Sequence, residues 1–290
     1  MKKKFIQILA IIFQKIDVLL CKLHLHSPKI VIYMDGGICS QMLMYLHGQY
    51  YAEYGFEVLY DDYWYQKNGK NKLSYLIRTF ELTEMWPNLK FKVISKWQRK
   101  WYLMLFQIKR KESNLLPVPD TVIHSIYLNG YWDIPEKEHN RLFRQLFKLA
   151  DASAPDKFHK FDSKSVVGVH VRRGDLARGD NPYYGGVTDG YFMRAIDFCN
   201  QYFTPQMYIF FSDEPDWVEN NICNQLEQPY KIMRDNKAWE DLWLLAQCPI
   251  IIASQGSFGK VAARLSPDAF LIQCDNKYAW RERENTFYIQ

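Results

Sequence analysis

Short apolar runs and periodic helical stretches take turns along most of this chain. After Lys29 the residues IVIYM form a continuous apolar run that closes on Asp35, Gly36 and Gly37. Such a run predicts a strand, and with the helix and strand that follow it the start of a doubly wound α/β domain. The glycine pair predicts a sharp turn that brings backbone N–H groups at a helix start close to a ligand. A helix is predicted from about Gln41 to Tyr54, and a second strand at FEVLY after Gly55.

Residues 66–120 are basic and aromatic without a clear period and predict helices and loops. The pair Asp61-Asp62 in LYDDYW reads as a turn after a strand rather than a metal-binding carboxylate pair. Between Glu138 and Ala150 the apolar residues Leu142, Phe143, Leu146 and Phe147 recur at three and four, which predicts an amphipathic helix. The polar, proline-bearing segment 151–164 is the candidate linker.

Beyond it the alternation is regular. A strand at about 165–171 is followed by a helix at roughly 188–203 and by the strand PQMYIFF, which ends at Ser212 and Asp213. Then come a helix carrying Trp217, the short run YKIM, a helix from Ala238 to Gln247 and the strand PIIIAS. A helix from about Ser257 to Leu265 and the strand AFLIQ complete the series. This order predicts an α/β protein. Open α/β sheets bind ligands at the carboxyl ends of their strands, which is where Arg172, Asp213 and Ser254 fall.

The first segment needs separate treatment. FIQILAIIFQKIDVLL (5–20) follows three lysines, but Gln14, Lys15 and Asp17 interrupt it and no small-residue cleavage site follows. It predicts an amphipathic helix, either packed on the body or lying on an anionic membrane surface. The domain reading is a helix at 1–28, a first half at 29–155 and a second half at 165–290.

Composition narrows the class. A net charge of +5 over 290 residues, with acids interleaved after residue 175, argues against nucleic acid as a partner. An aromatic content of 16% suits a protein that offers flat faces to a sugar. The six cysteines form no metal-binding spacing, and a reducing compartment, the cytoplasm, is the easier reading.

The chemistry concentrates at GVHVRRGDL (168–176), where Arg172 and Arg173 stand behind an apolar strand, flanked by His170 and Asp175. A strand-end arginine presents a planar fork of donors that takes two phosphate oxygens at once. SQGS (254–257) opens a helix after another strand, so Ser254, Ser257 and their N–H groups form a second anion cradle. Two cradles suggest a diphosphate, and Asp241 is placed to accept from the N–H groups of a guanine ring. The competing readings are a salt bridge from the arginines to Asp175 or Asp213, helix capping by the serines, and a solvated helix position for Asp241.

HVRRGD (170–175) resembles the H-x-R-R-x-D motif of the α1,2-, α1,6- and protein O-fucosyltransferase superfamily. FSDEPDWV (211–218) and EDLWLLAQCPIIIASQGSFGKVAARLSP (240–267) resemble segments of the bacterial α1,2-fucosyltransferases, glycosyltransferase family eleven. DGGICSQMLMY and NGYWD are similar to its N-terminal motifs.

The resemblance implies a GT-B-like α/β fold of two Rossmann-like halves, with GDP-fucose held mainly by the C-terminal half. It implies that Arg172 grips the β-phosphate and that Arg173 supports the loop or the donor. His170 and Asp241 would hold guanosine, Ser257 would touch the diphosphate, and Asp175, Asp213 and Ser254 would complete the donor site. Gly36, Gly37, Gln41 and Phe258 would line the acceptor side or cleft. An inverting transfer without a metal cofactor follows, with Asp180 as the candidate base and a lipid-linked or other glycan as acceptor. Gln255-Gly256 and Phe258-Gly259-Lys260 depart from the family pattern, which bears on the α1,2 linkage and the galactose acceptor more than on the donor. The alternatives are another linkage, α1,6-like, or a non-catalytic membrane-associated subunit of a polysaccharide assembly complex.

Overall fold

The computed structural model describes residues 2–67, 69, 77–108, 115–155, 165–177, 189–275 and 283–289. The chain divides into two compact units. The first runs to Phe147 and excludes Glu84–Trp86; the second takes Glu84–Trp86 together with the chain from Lys148 onward. The α/β class and the two Rossmann-like halves expected from the sequence are both present.

The first unit opens with α1 (Lys2–Lys22) and contains β1 (Lys29–Tyr33), α2 (Ile38–Ala52) and β2 (Glu57–Asp61). Then follow α3 (Tyr63–Gln66), α4 (Leu82–Met85, shared between the units), α5 (Lys96–Leu105), β3 (Gln107–Ile108), β4 (Ile126–Leu128) and α6 (Glu136–Leu146). Its four strands are parallel in the order β2-β1-β4-β3. Val31, Leu59, Tyr127, Leu105 and Phe106 form a core cluster against which Ala10 and Phe13 of α1 pack. Ser95 and Gln98 exchange bonds in a capping box that starts α5. Asp61 ends β2 as a buried brace, accepting from the Tyr127 hydroxyl at 2.6 Å and pairing with Arg99 at 2.8 Å.

The second unit carries β5 (Val166–Val171), α7 (Asp189–Tyr202), β6 (Met207–Ser212), α8 (Pro215–Asn221) and β7 (Tyr230–Ile232). It continues with α9 (Ala238–Ala246), β8 (Ile250–Ala253), α10 (Phe258–Leu265), β9 (Phe270–Cys274) and β10 (Thr286–Ile289). The six strands are parallel in the order β10-β9-β8-β5-β6-β7. Counted from β5, this is the 3-2-1-4-5-6 order of dinucleotide-binding sheets, whose topological switch point lies between the first and fourth strands.

All six residues of β5 are buried, as its unbroken VVGVHV pattern requires for a central parallel strand. Burying Val167, Val169 and Val171 contributes roughly 1.5–3 kcal/mol for each side chain. At Gly168 an added Cβ would lie 2.6 Å from the Leu245 Cδ1 of α9 and 2.8 Å from Cys248 Sγ, so α9 rests directly on the strand backbone. All six cysteines are free.

Candidate functional site

Arg172 leaves β5 and Ser254 leaves β8, and those strands are neighbours, with His170 in register with Ala253. The two cradles read separately from the sequence therefore merge at the switch point. The Ser254 N–H donates to the His170 carbonyl at 3.0 Å, and the Arg172 N–H donates to Ser254 Oγ at 3.0 Å. Ser254 is buried, so its hydroxyl ties the two loops together rather than facing a ligand. That hydroxyl also lies 3.0 Å from His170 Nδ1.

The His170 ring is buried and stacks on Phe258 with centroids 4.8 Å apart. Burial, aided by the nearby charge of Arg172, pushes its pKa down to about 3. The imidazole is consequently neutral at physiological pH.

The adjacent arginines have different surroundings. Arg172 pairs through its guanidinium with the Asp213 carboxylate, while the other Asp213 oxygen accepts from the Arg173 backbone N–H at 2.9 Å. The carboxylate of Asp213 thus fixes the orientation of the Arg172 guanidinium at the end of β5. Arg173 instead donates through Nε to Glu214 at 3.0 Å and lies 3.6 Å above the Trp217 ring. It is a brace for the loop.

Gly174 follows at φ +29, and a Cβ there would meet Asp213 Oδ2 at 2.5 Å and Arg172 Nη1 at 2.8 Å. The glycine makes room for the pair. Ser212 completes the loop by donating to the Val171 carbonyl at 2.8 Å and accepting from the Glu214 N–H at 3.0 Å.

Beside this loop, in the same unit, lies a cleft of about 320 Å³ lined by Ser212, Pro215, Met233, Arg234, Asp235, Asn236 and Asp241. Its size is at the lower end of ordinary ligand pockets. Asp241 enters from the first turn of α9, and its carboxylate accepts from Asn236 at 2.9 Å. Arg234 at the edge is held by Asp216 and Glu219. The exposed Ser257 precedes α10 and makes no side-chain cap to it. In the first turn of α10, burial lowers the pKa of Lys260.

The expected acceptor-side residues divide between the units. Phe258 belongs to the second, against His170. In the first unit the Gly36 carbonyl accepts from the Tyr65 hydroxyl at 3.0 Å. Gly37 precedes α2 as its N-terminal flank. Gln41 is 0% exposed. Its amide donates to the Thr79 carbonyl at 2.9 Å and accepts from the N–H groups of Glu81 and Leu82, both at 2.9 Å. It is a structural staple and offers no surface to a sugar. Asp35, at the same turn, has a pKa raised by burial against the opposing hydrogen bond of Tyr131.

Sequence reasoning passed over Asp35, Glu214, Trp217 as a partner of Arg173, Gly174 and the Met233–Asn236 stretch. For Trp217 the signal was available in DEPDW directly behind β6; for the others it lay in tertiary contacts. Asp180 lies outside the described residues. Asp175 falls in the 3-10 turn Gly174–Ala177, and its side chain is likewise outside the description.

The family model described as glycosyl transferase family 11 matches residues 69–284. Galactoside alpha-(1,2)-fucosyltransferase 1 of Saimiri sciureus is 31% identical over 107 residues, which are 36% of this chain and 29% of that protein. Galactoside 2-alpha-L-fucosyltransferase SEC1 of Bos taurus is also 31% identical over 107 residues, 35% of this chain and 29% of that protein. The matched segment thus spans less than a third of the length of these relatives. Among solved structures, a glycosyl transferase of family 9 from Veillonella parvula DSM 2008 is 10% identical with a TM-score of 0.48, covering 91% of this chain and 86% of that one. An Arabidopsis thaliana FUT1 mutant in complex with GDP is 13% identical with a TM-score of 0.47, covering 85% and 70%.

Proposed function

The chain belongs to glycosyl transferase family 11, and from that premise we propose that it transfers L-fucose from GDP-fucose, with inversion, to O2 of a galactose unit in a surface polysaccharide or O-antigen glycan. The observation that carries this reading is Arg172 at the switch point, oriented by Asp213 beside a cleft that holds Asp241. A cation so placed suits a nucleoside diphosphate, and the names of the matched relatives supply the sugar and the linkage.

In the proposed reaction the acceptor oxygen bonds to the anomeric carbon as the bond from that carbon to the β-phosphate oxygen breaks. Negative charge grows on the departing GDP, and Arg172 neutralises it more fully in the transition state than in the bound donor. Asp241 and the neutral His170 hold the guanosine, Ser257 and the start of α10 meet the diphosphate, and Arg173 keeps the loop in shape. The acceptor proton passes to a base, for which Asp180 is the sequence candidate. No metal cofactor is needed, because the arginine takes the charge a divalent ion would otherwise carry.

The acceptor in this reading is a lipid-linked glycan met at the cytoplasmic face of a bacterial membrane. No helix among the described residues is long and apolar enough to cross a membrane. The test is GDP release from GDP-fucose with and without a galactose-terminated acceptor, followed by linkage analysis of the product. Acceptor-dependent release and a new 1,2 linkage are expected; donor binding without release would overturn the assignment.

A further inference from the structure

α1 is mounted with its apolar stripe facing outward. One face is pinned to the body: Gln14 donates to the Leu105 carbonyl at 2.8 Å, the Asp17 carboxylate accepts from the Ser125 N–H at 2.5 Å, and Phe13 meets the Trp101 ring edge-on at 4.9 Å. Ala10 packs on the core beside them. With those contacts made the helix cannot rotate, and Ile8, Ile12, Ile16, Leu19 and Leu23 are left along the solvent side at steps of four and three.

α5 extends the same surface. Trp101 bridges the two helices, and one turn earlier Trp97 stands 82% exposed. Soluble surfaces seldom leave a tryptophan and a row of isoleucines and leucines bare together. The charges among them have a single sign. Lys15 and Lys22 on α1 and Lys96 and Lys100 on α5 are exposed, whereas the one acid on either helix, Asp17, is buried and paired with His26. The sequence of the first turn of α1 adds three more lysines.

From this combination we infer that α1 and α5 together form a platform that docks on an anionic lipid bilayer, with α1 lying in the plane of the headgroups. A protein partner of ordinary surface would need neither the uniform positive charge nor a tryptophan at the apolar edge. A bilayer meets both, since lysines reach lipid phosphates while the isoleucines and Trp97 enter the interface. The inference concerns the first unit alone and does not depend on which sugar the second unit handles.

Flotation of the full chain with vesicles tests it without reference to turnover. Vesicles of phosphatidylglycerol and phosphatidylethanolamine are expected to carry the protein up the gradient, and vesicles of phosphatidylcholine to carry about tenfold less or lower still. The double variant Ile12→Ser/Trp97→Ser and the double variant Lys15→Glu/Lys100→Glu are each expected to lose about tenfold in bound fraction at matched lipid, with unchanged circular dichroism. All four positions are exposed, and the comparison of the two lipids uses the unaltered chain. Failure to float with the anionic vesicles overturns the proposal, as does equal binding to phosphatidylcholine. A concentration-dependent dimer in sedimentation velocity that Ile12→Ser/Trp97→Ser abolishes would also overturn it by assigning the face to a second copy.

Discussion

After β1 the chain turns through Asp35, Gly36 and Gly37 and is held by neutral hydrogen bonds from Gln41 and Tyr65, whereas after β5 it turns through Arg172, Arg173 and Gly174 and is held by charge. Both turns leave the carboxyl end of a buried parallel strand. In the first unit the brace is a neutral amide bonded to backbone groups of Thr79, Glu81 and Leu82, so it gives shape without charge. In the second, Asp213 and Glu214 each take one arginine, so the loop is held by two ion pairs at the switch point. The first turn is thereby fixed by buried neutral bonds and the second by ion pairs.

Replacing Arg172 by alanine is the most severe way to break this contrast. Turnover should fall by about 10²–10³-fold, as for other preorganised groups facing developing charge, and GDP affinity measured by calorimetry should fall with it. Retention of both would remove the basis of the proposed function. On the neutral side, Gln41→Ala strands the Glu81 and Leu82 N–H groups and the Thr79 carbonyl in the interior. A loss of about 3 kcal/mol in urea unfolding is expected, from unsatisfied buried groups at about 1–3 kcal/mol each.

Acid sharpens the comparison, because each unit buries a histidine in neutral form. Burial brings His47, against the Trp132 carbonyl, to about 4, and burial together with Arg172 brings His170 to about 3. Both folded values lie below that of an unfolded histidine, about 6.5, so the unfolded chain gains protons first as the pH falls. The stability from each is fully present above that value and drains away toward the folded one, by roughly 2 kcal/mol per histidine at pH 5. The raised pKa of Asp35 works in the opposite direction in the first unit alone. His170→Asn should therefore make the loss in unfolding free energy between pH 7 and pH 5 smaller by about 2 kcal/mol. The smallest effect is expected for Arg173→Lys, which loses the Glu214 geometry and the ring contact. About 1 kcal/mol of stability should go, with a much milder change in GDP affinity than at position 172.

How much of this was legible depended on the range of the interaction. VVGVHV announced a strand because burial on both faces writes itself as consecutive apolar residues, and the same holds for β6 and β8. β4 and β10 were missed: the first has only three residues between polar neighbours, and the second is an edge strand with no fully buried position. The arginines were conspicuous because two charges behind a strand demand partners.

What each arginine does was not legible, since Asp213, Glu214 and Trp217 come from β6 and the start of α8. Ser254 was read as facing a phosphate. The sequence does not reveal that β8 lies beside β5, and that adjacency turns its hydroxyl toward the Arg172 N–H. Gln41 was misplaced for a similar reason, because the segment it staples lies some forty residues downstream.

The missing side chain at Gly168 reaches further than its size suggests. Because Leu245 and Cys248 sit against the bare backbone there, the helix bearing Asp241 is indexed to the strand bearing Arg172. A methyl group at that position would act as a wedge and change the span between those two residues without touching either. The measuring gauge of this half of the molecule is thus set by an atom that is absent.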